Sequence, residues 1–157
     1  MITDVDGVLT DGGIYFDANG ECFKRFHDLG VTLCEFGVKD NSAACQSLME
    51  QAWVSAVQTA CIGDDSIALP AFSACGLSFA IADAPEYVKR QAMGVLAQPG
   101  GHGAFRELAD AILEAQGMAD VYCSAKGCQR VVTGVAQNSS KQERDMYVEY
   151  SGWSASF

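Results

Sequence analysis

Short apolar runs recur along the first hundred residues, and each ends in glycine or acidic residues. The N-terminal run leads into Asp4-Val-Asp6-Gly7-Val-Leu-Thr10-Asp11, Thr59-Ala-Cys61-Ile62 leads into Gly63-Asp64-Asp65-Ser66, and Leu77-Ser-Phe-Ala-Ile81 leads into Ala82-Asp83. Such runs, bounded by turn residues, are the pattern of buried strands, and 93–96 supplies a last one. Helical spacing fills the intervals. Over 43–51, Ala44, Leu48 and Met49 share a face, with Asp40 or Ser42 placed to cap it. A helical pattern follows Ser66, and Asp83-Ala-Pro85 opens a short helix with proline in its first turn. Over 104–116 a stripe of Phe105, Leu108, Ala109, Ile112 and Leu113 runs to a closing Gly117, with Arg106 and Asp110 spaced to pair. Strand, helix and strand in alternation predict an α/β fold with a parallel sheet and right-handed crossovers.

Two stretches break the alternation. Gly12-Gly-Ile14-Tyr15-Phe16 and Glu21-Cys22-Phe23-Lys-Arg-Phe26 flank Asp17-Ala-Asn19-Gly20, whose Asn-Gly predicts a β-hairpin flap over 12–27. A two-stranded flap is marginal alone, so its aromatics pack either locally or on another subunit. Near the C-terminus, 137–145 is polar, and 146–150 alternates like an edge strand.

A length of 157 residues suits one domain, and 49% hydrophobic content can fill its core. A net charge of −10 without a basic stripe argues against nucleic acid and anionic membrane surfaces as partners. No apolar run reaches the roughly 18 residues of a membrane span, and no basic segment precedes an apolar one at the N-terminus, so the expected compartment is the cytoplasm. The seven cysteines, without a Cys-x-x-Cys pair, read as reduced core residues. A zinc site would need clustered ligands, and His27 and His102 lie far apart. His102 stands in a glycine loop, Gly100-Gly-His102-Gly103, where it is either functional or simply solvated.

The acidic clusters carry the candidate chemistry. Asp4 and Asp6 at a strand end cannot both enter a core, because unpaired buried charges cost several kcal/mol each. They either face solvent or share a cation. Asp64 and Asp65 close another strand, and open α/β sheets bind ligands at such strand ends. Together the clusters offer oxygen ligands suited to Mg²⁺, although Asp65 would also be welcome at a helix N-terminus on structural grounds alone.

Asp4-x-Asp6-Gly7-Val-Leu-Thr10-Asp11-Gly12 resembles the first motif of the haloacid dehalogenase superfamily, in wording close to the phosphatases that act on 3-deoxy-D-manno-octulosonate 8-phosphate. The resemblance runs from Asp4 to about Asp120. It implies a Rossmann-like parallel sheet of the haloacid dehalogenase type, with the hairpin capping the site and no cap domain. It also implies phosphomonoester hydrolysis within lipopolysaccharide synthesis by a cytoplasmic homotetramer. By the same resemblance Asp4 is the nucleophile and Asp6 the general acid/base. Mg²⁺ would be held by Asp4, Asp64 and the backbone carbonyl of Asp6, with Asp65 in support. Thr10 would contact substrate, and Arg106, matching the arginine of a Gly-Gly-x-Gly-Ala-x-Arg-Glu run, would contact phosphate or a neighbouring subunit; Lys39, two positions before the family's lysine, either contacts substrate or is an exposed strand-end lysine. The phosphatase-like domain would span 1–117, leaving 118–157 unassigned.

The chain departs from the family pattern in three places. At His27-Asp28 about 35 residues are missing, including a Ser/Thr that holds the transferring phosphoryl group and the strand beside the nucleophile strand, whose loss would leave neighbours roughly 9.6 Å apart. Asn41 stands where the family has Lys, with Lys39 two positions earlier, and Ala68 stands where it has Asp. A second expectation follows from these losses: a catalytically impaired or inactive homologue with a binding or assembly role at most. Transfer of phosphate to a sugar acceptor would need a cap domain, for which there is no room.

Overall fold

Four short strands, β1 (Ile2–Thr3), β2 (Ala60–Gly63), β3 (Leu77–Ala80) and β4 (Gly94–Val95), form one parallel sheet in the order β1-β2-β3-β4. The computed structural model describes residues 1–5, 7–10, 31, 33–35, 38 and 40–129. The hairpin expected over 12–27, the strand expected over 146–150, and residues Asp6 and Lys39 lie outside them. The chain divides into two compact units, Met1–Leu108 and Ala109–Phe157, and the sheet belongs to the first.

Register fixes what the sheet presents. Ile2 and Thr3 sit opposite Cys61 and Ile62, and Cys61 opposite Ser78. β2 is buried along its whole length, as its unbroken apolar run requires of a strand covered on both faces. Because all pairs are parallel, β1, β2 and β3 release their chains at the same edge. The Asp4 N–H extends the first ladder to the Ile62 carbonyl (3.2 Å), and the Ile81 N–H extends the second to Gly63 (3.4 Å). Among the described residues no strand pairs with the other edge of β1.

The α-helices that lie wholly within the described residues are α1 (Asn41–Gln51), α2 (Leu69–Ala74), α3 (Glu86–Lys89), α4 (Ala104–Ala115) and α5 (Asp120–Cys123). Of the two caps the sequence offered to α1, Asp40 is used: its carboxylate accepts from the Ser42 and Ala43 N–H groups. Cys45 and Met49 form the buried line of α1 and meet Ala71 of α2, while Ile2 packs against the same cluster. Pro70 sits in the first turn of α2, where its missing N–H costs nothing, and Pro85 caps α3. No helix among the described residues is long and apolar enough to cross a membrane.

Two sequence expectations are corrected. Phe105, placed on the buried stripe of α4, is exposed, whereas Ala104 and Leu108 are buried, so the inward line runs one position earlier in the first turn. The cysteines are not uniformly core residues: Cys45 and Cys61 are buried and Cys75 is half-buried, but Cys34, Cys123 and Cys128 are exposed. The single turn of α5 buries no side chain, so the small apolar Cys123 has no core to enter. All six described cysteines are free thiols.

α1 ends in a Schellman turn. The Val54 N–H reaches the Met49 carbonyl and the Trp53 N–H reaches Glu50. This holds Trp53 at φ +55°, the left-handed conformation favoured by glycine, with its side chain 90% exposed. An L side chain there costs about 1 kcal/mol and this indole recovers little by burial. Trp53→Gly is expected to raise the urea midpoint, by roughly 0.5–1 kcal/mol at unchanged slope. A lowered midpoint would mean that the indole makes a stabilising contact.

Candidate active site

The common strand edge gathers carboxylates. Asp4 follows β1, and Asp64 and Asp65 follow β2; each offers an oxygen, and these oxygens lie within 4.8 Å of one another. Of the four acidic residues singled out in the sequence, these three are brought together, and Asp6 lies outside the described residues. Asp4 Oδ1 accepts from the Val5 N–H (2.7 Å), which turns the carboxylate toward the loop. Asp65 serves twice, since its Oδ1 also accepts from the Ile67 N–H (2.8 Å) and caps the turn Ser66–Ala68.

The loop after β1 coils around one carbonyl. Leu9 and Thr10 N–H groups both donate to Val5 O (3.1 Å each), the Thr10 hydroxyl points at the same oxygen (3.4 Å), and Gly7 N–H donates to Thr10 Oγ1 (3.3 Å). Thr10, expected to contact substrate, therefore also shapes the loop. Gly7 has φ +75°, and a Cβ there would run into the Asp64 carboxylate. The glycine lets the two acidic segments approach. Val8, buried at the loop's centre, anchors it to the core.

A second loop is pressed onto the first. Gly101 N–H donates to Val8 O (3.0 Å), and a Cβ on Gly100 would collide with the Gly7 carbonyl. Two acids that the sequence reading had not assigned to the site hold this loop. Asp83 accepts from the Gly100 N–H (3.1 Å), and Glu107 accepts from the Ala97 and Gln98 N–H groups. Asp83 could have been suspected, as a third acid just past a third strand; Glu107 was signalled only as the last residue of the Gly-Gly-x-Gly-Ala-x-Arg-Glu run. His102 is exposed, its Nδ1 2.7 Å from the Gly100 carbonyl, which fixes that nitrogen as the protonated one. Arg106 is exposed on the first turn of α4.

The departures from the family pattern also have visible consequences. The Asn41 amide donates to the Ile67 carbonyl (2.8 Å), tying the start of α1 to the turn after Asp65. Ala68 is buried, and its methyl lies where a side chain on Gly63 would go.

Burial, followed by the charges of Asp4 and Asp65 and a smaller push from Asp83, raises the Asp64 carboxyl to about 6. A divalent cation would reverse that penalty, and an all-oxygen set suits a hard ion. Without metal, the folded chain holds the Asp64 proton more tightly than the unfolded chain does. Raising the pH from about 4 to about 6 therefore removes stability, and above that window the loss is complete. Urea midpoints of metal-free protein are expected to fall across this window relative to Asp64→Asn, which cannot ionise. Parallel profiles for the two proteins would refute the assignment.

No family model matches the chain. Among curated proteins it is similar to the 3-deoxy-D-manno-octulosonate 8-phosphate phosphatase KdsC of Haemophilus influenzae, with 45% identity over 170 positions that cover 87% of this chain and 94% of the relative. Since 87% of 157 residues is about 137, about 33 positions of that match have no counterpart here. Among solved structures, the cobalt-bound form of the Haemophilus influenzae phosphatase superposes with a TM-score of 0.75 at 45% identity, covering 82% of this chain and 94% of the other. The Moraxella catarrhalis 3-deoxy-D-manno-octulosonate 8-phosphate phosphatase, in complex with magnesium ion, phosphate ion and KDO, shares the fold with a TM-score of 0.69 at 23% identity, over 77% and 88% of the two chains. The sheet, the acidic strand ends and the identity along nearly the whole relative have one reading: the chain belongs to the 3-deoxy-D-manno-octulosonate 8-phosphate phosphatase family of the haloacid dehalogenase superfamily.

Proposed function

We propose that the chain is a Mg²⁺-dependent phosphomonoesterase that hydrolyses 3-deoxy-D-manno-octulosonate 8-phosphate to the free sugar acid and phosphate, a step of lipopolysaccharide synthesis. The observation that carries this reading is the convergence of Asp4, Asp64 and Asp65 at one sheet edge in a member of that family. Asp4 and Asp64 would hold the ion together with the carbonyl of Asp6, and Asp65 would support it. When bound, the ion offsets charge on the phosphoryl oxygens.

The protein's own groups do the rest. Asp4 attacks phosphorus while Asp6 gives its proton to the departing sugar alkoxide, forming an aspartyl phosphate. Asp6 then takes a proton from water, whose oxygen attacks that phosphorus and releases phosphate and Asp4. Thr10, Lys39 and Arg106 are assigned to substrate contact. A cytoplasmic homotetramer, with the hairpin packing between subunits, completes the reading. The unmatched positions are assigned to the junction of His27 and Asp28.

The impaired-homologue reading rests on three losses: the Ser/Thr segment expected at the junction of His27 and Asp28, the lysine where Asn41 stands and the aspartate where Ala68 stands. It is the less favoured one, because the carboxylates required for metal and nucleophile stand together. Phosphate release from the octulosonate ester is expected with Mg²⁺, to vanish with EDTA, and to fall roughly a thousandfold or more in Asp4→Asn. Wild-type protein that is folded yet no faster than Asp4→Asn would overturn catalysis and leave the impaired homologue.

A further inference from the structure

The loop over 97–103 is held from outside. Three of its residues are glycine, and Gly101 and Gly103 stand at φ +67° and +109°, where a side chain would be strained. Ala97, Gln98, Gly101, His102 and Gly103 are exposed, so little side-chain packing fixes this backbone. Carboxylates do so instead. Glu107 accepts from the Ala97 N–H with both oxygens (2.9 and 3.0 Å) and from the Gln98 N–H with Oε2 (2.9 Å). Asp83 accepts from the Gly100 N–H, and the Gln98 carbonyl accepts from the Ala82 N–H (3.1 Å).

Glu107 has a stiff mount. It lies in the first turn of α4 between Ala104 and Leu108, both buried, and its own N–H bonds to the Gly103 carbonyl (2.9 Å). Side chains of a helix lean toward its N-terminus, which carries this carboxylate back to where the chain leaves β4. One residue of α4 therefore clips together the two ends of the loop. At its middle the loop bears on the segment after β1: Gly101 N–H donates to the Val8 carbonyl, and Gly100 is buried against the Gly7 carbonyl.

We infer that Glu107 is a positioning residue for the hydrolysis proposed above, and the inference rests on that function. It acts through the second loop, whose grip on Gly7 and Val8 keeps the loop that follows Asp4 in reacting geometry. Hydrogen bonds from backbone N–H groups to an ionised carboxylate are about twice as strong as neutral ones, so removing the carboxylate frees both ends of the clip. A displacement of about 1 Å at reacting groups can cost roughly 100-fold in rate.

The test compares Glu107→Ala and the isosteric Glu107→Gln with wild type, by Mg²⁺-dependent phosphate release and by amide hydrogen exchange, both corrected for the folded fraction. Expected in Glu107→Ala are a kcat lower by about 10- to 100-fold with a smaller change in KM, and faster exchange at Leu9, Thr10 and Gly101. Glu107→Gln, whose amide oxygen still accepts from an N–H, should fall between Glu107→Ala and wild type in both; it carries the comparison alone if Glu107→Ala does not fold. A lowered melting midpoint with unchanged kcat, and unchanged exchange at Leu9 and Thr10, would mean that Glu107 only stabilises the fold and would overturn the inference. If wild-type protein releases no phosphate, the proposed function fails by itself. Exchange at Leu9 and Thr10 then decides whether Glu107 holds their loop, with unchanged rates again overturning the inference.

Discussion

Mutual repulsion among Asp4, Asp64 and Asp65 is the constraint on which the site depends. Three carboxylates within 4.8 Å of one another are unfavourable wherever water is partly excluded, and the raised Asp64 carboxyl records burial first and that repulsion second. The parallel sheet makes the arrangement unavoidable, because strands that run the same way end together. Elements elsewhere in the first unit hold the geometry against this push: β2 buried along its length, Val8 locked beneath its loop, and the ladder carried one residue past β1 by the Asp4 N–H. A fold that spends stability on like charges in one place gains from a cation there what it loses without one.

Glycine sets how close the pieces come. Gly7 removes the side chain that would separate the β1 loop from Asp64, and Gly100 removes the one that would separate the second loop from Gly7. The second loop is in turn held by acids accepting backbone N–H groups, Asp83 at Gly100 and Glu107 at Ala97 and Gln98. Acidic residues therefore have two uses here. Some gather close enough to share an ion; others accept backbone N–H groups and position the loop. The net charge of −10 does not distinguish the two, and the hydrogen bonds do.

Much of this was legible in the sequence because strands covered on both faces leave unbroken apolar runs and their ends leave acids. β2 with Asp64 and Asp65, a cap at Asp40 or Ser42 and the proline that opens α3 follow directly from residue chemistry. What was not legible depended on contacts between distant segments. Glu107 looked like one more charge on a helix, and Asp83 like a helix opener. Phe105 obeyed helical spacing, yet the inward line of α4 runs through Ala104, since spacing gives a period but not its phase against the core. The cysteines, most of them in apolar runs, looked alike, while of the six described Cys45 and Cys61 are buried, Cys75 is half-buried and the others are exposed.

The two single-residue departures from the family pattern act on one place. Asn41 bonds to the carbonyl of Ile67, the neighbour of Ala68, so the position that has lost a lysine and the position that has lost an aspartate are served by the same turn. The lost lysine and the lost aspartate carry opposite formal charges, and the Asn41 amide links α1 to that turn without a charge. The oxygens of Asp4, Asp64 and Asp65 still gather within 4.8 Å of one another, the span of one ion's ligand shell.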